Sequence, residues 1–395
     1  MASVRKRAWR TKTGQAKTGW LVDYLDQHGT RQRKTFALKK SADAFALQAR
    51  LEVRDNIHVP DADSVTVTVS GANWIASAES EQLERATIEQ YRQHLHLHIE
   101  PFLGKTKLSK LTVPVIRAFA DELRANGRSR TMVKYVIRSL GSLLADAQDR
   151  GLIIRNPVHE RRRGKCKQQG APDRRGKQLK IGIDIPTPDE IRAMLQAATG
   201  RDKVFLMVAV FTGLRASELR GLAWRDVDLK KAHLIVTQRA DRYRKIGPPK
   251  TEAAQRTIPL PPELVSALRE WKLACPNGPL GLVFPNGIGN VEFHVNLLHR
   301  LFWPVQIAAG VVRKTVENGK VSIEPKYSGL HSLRHFFASW CINRKVDGGL
   351  ELTPKLVQAR CGHSSITVTM DTYGHLFPRG DDAAELAAAE SFLLN

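Results

Sequence analysis

The sequence predicts a multidomain protein, mainly α with small β elements. Three observations carry that expectation. The chain has 395 residues, more than one typical hydrophobic core organises. The spacing of apolar residues changes along it, from alternation near the start, to three-and-four spacing, to a mixture of both. The stretch "RRRGKCKQQGAPDRRGK", 161–177, follows neither period and holds eight Lys/Arg against one Asp. These changes delimit a small α+β module over 1–60, a helical domain over 65–160, a basic linker over 161–180 and a mixed α/β domain over 181–395 that ends in a tail helix.

In the first module, "GWLVDYLDQHGTRQRKTFAL" holds two strand-like runs around a His-Gly turn, with Trp20, Val22 and Tyr24 alternating as one buried sheet face. "KKSADAFALQARLEVRDN" then carries Ala, Phe and Leu at helical spacing, with Ser41 as its N-cap. A strand pair plus helix with a basic surface can lay its sheet in a nucleic-acid groove. "HVPDADSVTVT" reads as a linker. "ATIEQYRQHLHLHIEPFLG" predicts a helix that stops before Pro101 and Gly104. "TVPVIRAFADELRANG" predicts a second, capped by Thr112 with Pro114 in its first turn. "SRTMVKYVIRSLGSLLADAQDRG" predicts a third, ended by Gly151. His94, His96 and His98 lie two apart on the first helix, so they point different ways and cannot converge on a metal.

In the last domain, "TPDEIRAMLQAAT" has a Thr cap and early acids. "VFLMVAVFTGLRASELRGLAW" is a mostly buried helix, a turn and another helix. "AHLIVTQ" and "QRTIPLP" are short strand signals around a Lys- and Pro-rich connection. The remainder reads as mainly helical, and "DDAAELAAAESFLLN" as an Ala-rich helix with an apolar end.

The net charge is +23, which points to an acidic polymer as partner, nucleic acid being the common one. A linker as basic as 161–177 fits phosphate tracking by Arg161, Arg162, Arg163, Lys165, Lys167, Arg174, Arg175 and Lys177. Cys166, Cys275, Cys341 and Cys361 are scattered, with no CxxC pair, so neither a disulfide framework nor a zinc site is expected, and a reducing cytoplasm fits. No run approaches the roughly 20 apolar residues of a membrane span. The basic N-terminus "MASVRKRAWRTKTGQ" has no apolar core and is not a secretory signal.

Four stretches of the last domain carry residues suited to one task. In "TGLRASEL", Arg215 follows a Thr-Gly break at a helix start, where backbone N–H groups also favour anions, and Glu218 is placed to hold its guanidinium. In "HSLRHFFASW", His331, Arg334 and His335 share one helical face; arginine grips phosphate through a rigid fork and histidine moves protons near neutral pH. "GPPKTEAAQRTIP" puts Lys250 on a connection that can reach into a cleft. "CGHSSITVTMDTYGHLF" places His363 before a helix capped by Ser364 or Ser365, with Tyr373 ten residues on.

Together, TGLRASEL, PPKTEAAQRTIPL, HSLRH and CGHSSITVTMDTYGH resemble the motifs of the tyrosine recombinase (phage integrase) family, in that family's order and with compatible spacing. "YRQHLHLHIEPFLGKTKLSKLT" and "GLIIRNPV" resemble its helical, SAM-like core-binding domain, and the first sixty residues its arm-type DNA-binding module. The resemblance implies a site-specific recombinase that integrates or excises a mobile element, such as a viral genome. Tyr373 attacks a DNA phosphodiester, forms a 3′-phosphotyrosyl link and releases a 5′-hydroxyl. Arg215 and Arg334 clamp the non-bridging oxygens, Lys250 protonates the leaving oxygen, His331 assists as general acid/base and His363 hydrogen-bonds the phosphate. Glu218 takes the acidic supporting position, and His335, typical of the motif, a structural one. Cys361 departs from the pattern, standing where a leucine commonly precedes the Gly-His.

Two arginines and a lysine supply charge without a metal, no acidic metal cluster lies near the motifs, and no P-loop is present, so neither metal nor ATP is expected. The implied partners are double-stranded DNA at core and arm sites, three further copies in a tetramer on DNA, and a DNA-bending host factor and an excision factor. The setting is the cytoplasm of a bacterial host, with no membrane. A type IB topoisomerase-like enzyme and a non-catalytic DNA-binding protein of the same fold are the alternatives; the separate N-terminal module argues against the first and the complete set of six site residues against the second. The tail after Tyr373 is expected to pack either on its own domain or on a neighbouring protomer.

Overall fold

The computed structural model describes residues 2–10, 15–55, 58–61, 63–160, 178–317, 320–378 and 382–394. The eight cationic residues of 161–177 singled out above lie outside them. The chain divides into two compact units, Met1–Pro172 and Asp173–Asn395.

The first unit opens with an antiparallel three-stranded sheet in the order β1 (Ser3–Arg10), β2 (Ala16–Leu25), β3 (Arg31–Phe36). Sequence reading anticipated β2 and β3 but not β1. "SVRKRAWR" has no clean alternation, and it becomes a strand because its backbone pairs with β2 from Ser3↔Asp23 to Arg10↔Ala16. Helix α1 (Lys39–Arg54) covers one face, packing Ala42, Ala46 and Ala49 on Val22 and Tyr24. It starts two residues before the predicted cap. Leu38 is the N-cap and its carbonyl already accepts from Ala42 N, so Ser41 sits inside the first turn and caps nothing.

The same unit continues into a helical bundle: α2 (Val67–Ser80), α3 (Arg85–His94), α4 (Glu100–Leu103), α5 (Val113–Ala125) and α6 (Arg130–Asp149). Part of the predicted linker is therefore the first turn of α2, capped by the Thr66 side chain. The predicted stop before Pro101 does not occur. A π turn over Leu95–Ile99 joins α3 to α4, and Pro101 falls in the first turn of α4, where a missing N–H costs little. The core is formed by Trp74, Ile99, Ile116, Phe119, Leu140 and Leu143 among others. Only His96 diverges from the other two as expected: it is exposed and pairs with Glu100, while His94, bonded to Ser139 Oγ at 2.8 Å, and the buried His98 lie four apart on one face with ring centroids 6.3 Å apart. No helix among the described residues is long and apolar enough to cross a membrane.

In the second unit, α7 (Pro188–Ala197) begins with a capping box in which Thr187 and Glu190 bond each other's backbone. The buried α8 (Gly200–Thr212) and the short α9 (Ala216–Gly221) follow. β4 (Val227–Asp228), β5 (His233–Ile235) and β8 (Thr257–Pro259) form one sheet, and β6 (Arg239–Ala240) pairs with β7 (Ile246–Gly247) on the connection between β5 and β8. α10 (Pro262–Ala274) packs on α8. After α11 (His294–Asn296), a π turn over Leu297–Phe302 and α12 (Trp303–Ala308) comes a hairpin, β9 (Val312–Glu317) and β10 (Lys320–Pro325). This hairpin corrects the mainly helical reading of the remainder; an Asn-Gly pair between alternating Val and Ile was its unread signal. The unit ends with α13 (His331–Ile342), α14 (Pro354–Cys361), α15 (Ile366–Tyr373) and α16 (Asp382–Leu394).

Gly213, which ends α8, is held by more than its left-handed φ of 60°. A Cβ there would stand 2.2 Å from the Phe337 ring. Gly213→Ala is expected to cost about 2–4 kcal/mol, combining left-handed strain with overpacking, and to lower the melting temperature of the purified variant.

Candidate active site

The site grows from three chain breaks in the second unit. The first is the turn from α8 into α9, which leaves Gly213 O and the Arg215 side chain pointing inward. The second is the start of α13, which carries His331, Arg334 and His335. The third is the end of α14, where Gly362 takes a left-handed φ of 62° and stops the helix.

At that third break, three successive carbonyls receive three different arginines. Arg360 O accepts from Arg256 Nε at 2.9 Å, Cys361 O accepts from Arg334 Nη2, and Gly362 O accepts from Arg215 Nη2 at 2.8 Å. The last carbonyls of a helix have no partner within it and lie at the negative end of its dipole, so they suit cations. Gly213 O takes the other arm of Arg334 at 2.6 Å, tying the first break to the third.

Glu218 closes the cluster. It is 3% exposed, and its two oxygens take Arg215 Nη1 at 2.7 Å and Arg256 Nη2 at 2.9 Å, while Arg215 N donates to it at 2.9 Å. Burial alone would raise its pKa; Arg256 and Arg215 outweigh burial, and the carboxyl is held below its ordinary range. The predicted Arg215–Glu218 pairing is present. Arg256, buried and central, escaped the sequence reading: an arginine leading into a strand looks like a surface residue, and nothing local announces its partners.

Tyr373 is 1% exposed and packs among Phe337, Cys341 and Cys361. Its hydroxyl lies 2.7 Å from His335 Nδ1. Burial first, then Cys361, raise the phenol pKa, with Arg334 and Arg215 pulling the other way, so the group is protonated at neutral pH. His363 stacks on the Tyr373 ring at 6.0 Å between centroids and bonds Thr369 Oγ1 at 2.9 Å. Burial and the cations Arg334, Arg215 and Arg256 depress it to about 4. His331 is exposed at the mouth, its pKa lowered by the surrounding chain, then by Arg334 and Arg215. Ser365 is the residue that caps α15. Cys361 is buried in one apolar cluster with Val357 and Ala338.

The structure thus brings Arg215, Arg334, His363, Tyr373, Glu218 and His335 together, with His331 at the edge. Lys250 is not part of that buried cluster; it stands exposed in the bend after β7. His375, two residues past the tyrosine, bonds Leu179 O at 2.8 Å, a packing role.

Residues 186–379 match the profile of the phage integrase family, and residues 72–124 that of the phage integrase N-terminal SAM-like domain. The chain is 28% identical over 382 residues to a tyrosine recombinase XerC-like protein of Caldanaerobacter subterraneus subsp. tengcongensis, across 90% of each chain. Solved structures of other proteins share the fold, among them two integrases. The Tn1549 transposon integrase in complex with a circular intermediate DNA superimposes with a TM-score of 0.62 at 20% identity, over 83% of this chain and 100% of that one. A lambda integrase tetramer bound to a Holliday junction gives 0.54 at 18% identity, over 91% and 96%. The chain belongs to the phage integrase family, the tyrosine recombinases, which are DNA cleavage and rejoining enzymes.

Proposed function

We propose that this chain is a site-specific recombinase that integrates or excises a mobile element by cutting and rejoining DNA through a 3′-phosphotyrosyl intermediate. The observation that carries the reading is the gathering of Arg215 and Arg334 on the carbonyls at the end of α14, where both bear electrostatically on the buried Tyr373 phenol and His363 stacks on its ring. Tyr373 is the nucleophile. Arg215 and Arg334 each keep N–H groups beyond those spent on carbonyls, and these clamp the non-bridging oxygens of the scissile phosphate. His363 hydrogen-bonds the same phosphate and His331 assists proton transfer. Lys250, on its exposed connection, protonates the departing 5′-oxygen. The covalent link stores the energy of the broken strand, so resealing needs no ATP.

Double-stranded DNA is the partner, and four protomers assemble on it and cut in pairs, as the likeness to the lambda integrase tetramer supports. The N-terminal sheet module, 1–60, binds arm sites through exposed cations such as Arg7, Arg10, Lys17, Arg31 and Arg33. The helical domain, 65–160, binds the core site, and the basic linker, 161–180, follows the backbone between it and the catalytic domain, 181–395. A DNA-bending host factor and an excision factor set direction, in the cytoplasm of a bacterial host. The tail helix α16 exposes Leu386, Phe392 and Leu393, which favours docking on a neighbouring protomer.

Sequencing both element junctions in cells with and without the protein tests the function; junctions that form and resolve equally in both cells contradict it. Deleting residues 1–60 is expected to leave cleavage of a core-site duplex intact while impairing integration. Unchanged recombination by the truncated protein would remove the arm-module role.

A further inference from the structure

His335 follows Arg334 on α13, and its ring lies between two others. His331 meets it edge-to-face at 4.5 Å between centroids, and Tyr373 lies beyond it at 5.8 Å. The 2.7 Å contact to Nδ1 is the one hydrogen bond of the Tyr373 hydroxyl among the described residues. That fact sets the direction of the bond. A buried phenol keeps its proton and needs an acceptor for it. The acceptor at hand is Nδ1, so the imidazole carries its own proton on Nε2. The groups facing His335 agree. Burial is the largest influence, His331 and Arg334 on its own helix add to it, Asp184 opposes from the 180–185 turn, and the ring is depressed to about 4 and neutral at pH 7.

We propose that His335 is a catalytic residue of the recombination chemistry, its Nδ1 taking the proton of the Tyr373 hydroxyl as the phenolic oxygen attacks phosphorus. The inference rests on the reading of Tyr373 as nucleophile. In the step, the Oη–H bond breaks and its proton moves to Nδ1. The electron pair forms the Oη–P bond, and the P–O5′ bond breaks with its pair leaving on the 5′-oxygen, which is protonated by the acid assigned to Lys250. Rejoining runs the same transfers in reverse, and the imidazolium returns its proton to the phenol. A bound phosphodiester anion favours the imidazolium that forms.

Two measurements test this. The first is the 15N spectrum of histidine-labelled wild-type protein, with His335→Gln to assign the signal. A pyridine-type, unprotonated Nδ1 at pH 7 is expected, and a protonated Nδ1 overturns the proposal. The second is single-turnover formation of the covalent adduct on a nicked duplex carrying the element junction. His335→Gln and His335→Ala are both expected to slow it by about 10²–10⁴-fold, the range of general-base catalysis, with wild-type mobility shift and a melting temperature lowered by no more than the loss of one hydrogen bond accounts for. The His335→Gln rate should then climb with pH as phenolate replaces the lost base. Rescue by glutamine, which holds a hydrogen bond but takes no proton, overturns the proposal, as does a parallel loss of DNA binding and melting temperature. A wild-type protein that forms no adduct on the junction duplex refutes the recombinase reading instead, while the 15N result still decides where the shared proton sits.

Discussion

Tyr373→Phe is expected to abolish covalent adduct formation while leaving binding to a core-site duplex at the wild-type level. The substitution removes one oxygen. The ring keeps its place among Phe337, Cys341 and Cys361 and its stacking on His363. The lost hydrogen bond to His335 costs about 0.5–1.5 kcal/mol of stability, too little to unfold a domain. The loss of rate is far larger, on the order of 10⁶, because removing a covalent nucleophile takes away the step that every other group serves. Adduct trapping on denaturing gels reads the first quantity and mobility shift the second. A residual adduct in this variant would mean that another residue attacks the phosphate.

Arg256→Ala is the second large effect. Arg256 and Glu218 are both buried, with side chains 5% and 3% exposed, and their 2.9 Å ion pair is one of two that hold the Glu218 charge. Severing a buried pair from one side leaves a desolvated charge behind, a loss of about 3–5 kcal/mol. The lower end applies, because Arg215 stays on the other carboxylate oxygen. The loss has a pH signature. Glu218 titrates below its ordinary 4.5 in the folded protein, so its contribution to stability is fully present above about 4.5 and disappears as pH falls through the lower folded value. Without Arg256 that folded value rises, and the acid-unfolding midpoint moves to higher pH. Denaturant unfolding at several pH values measures both. Stability within about 0.5 kcal/mol of wild type, the ordinary scatter of a surface substitution, would show that Arg256 does not carry this load.

Arg256 also marks the limit of what local sequence encodes. Tyr373, Arg215, Arg334 and His363 were legible because each sits in a short motif whose neighbours have their own local reasons: a Thr-Gly break, a helix face, a Ser cap. Arg256 touches Glu218, thirty-eight residues earlier, and Arg360 O, over a hundred residues later. No local pattern encodes such partners. His335 was legible as part of a motif but not as the partner of the tyrosine, since that contact depends on how α13 and α15 pack. The fold divides the same way. Helices with strong periodicity read directly: α6 and α7 with side-chain caps, and α5 although Thr112, at its N-cap position, makes no capping hydrogen bond. β1 did not, because its pairing with β2, rather than its own side chains, makes it a strand. The helix through Pro101 did not, because a π turn relieves a clash that sequence rules treat as a stop.

The three carbonyls at the end of α14 bear on how this site withstands mutation. What holds Arg215, Arg256 and Arg334 there is peptide oxygen, and every amino acid supplies that. A substitution at 360 that keeps the helix therefore leaves the register of the cations unchanged, whatever side chain arrives. The vulnerable positions are those that shape the helix end: Gly362, where a Cβ would press to 2.9 Å of Arg256 Nη1, and any position of the last turn where a proline would break the ladder. Much of the positive charge of this centre is thus anchored in backbone, which point substitution rarely alters, while the risk of inactivation is concentrated in a few side chains and one glycine.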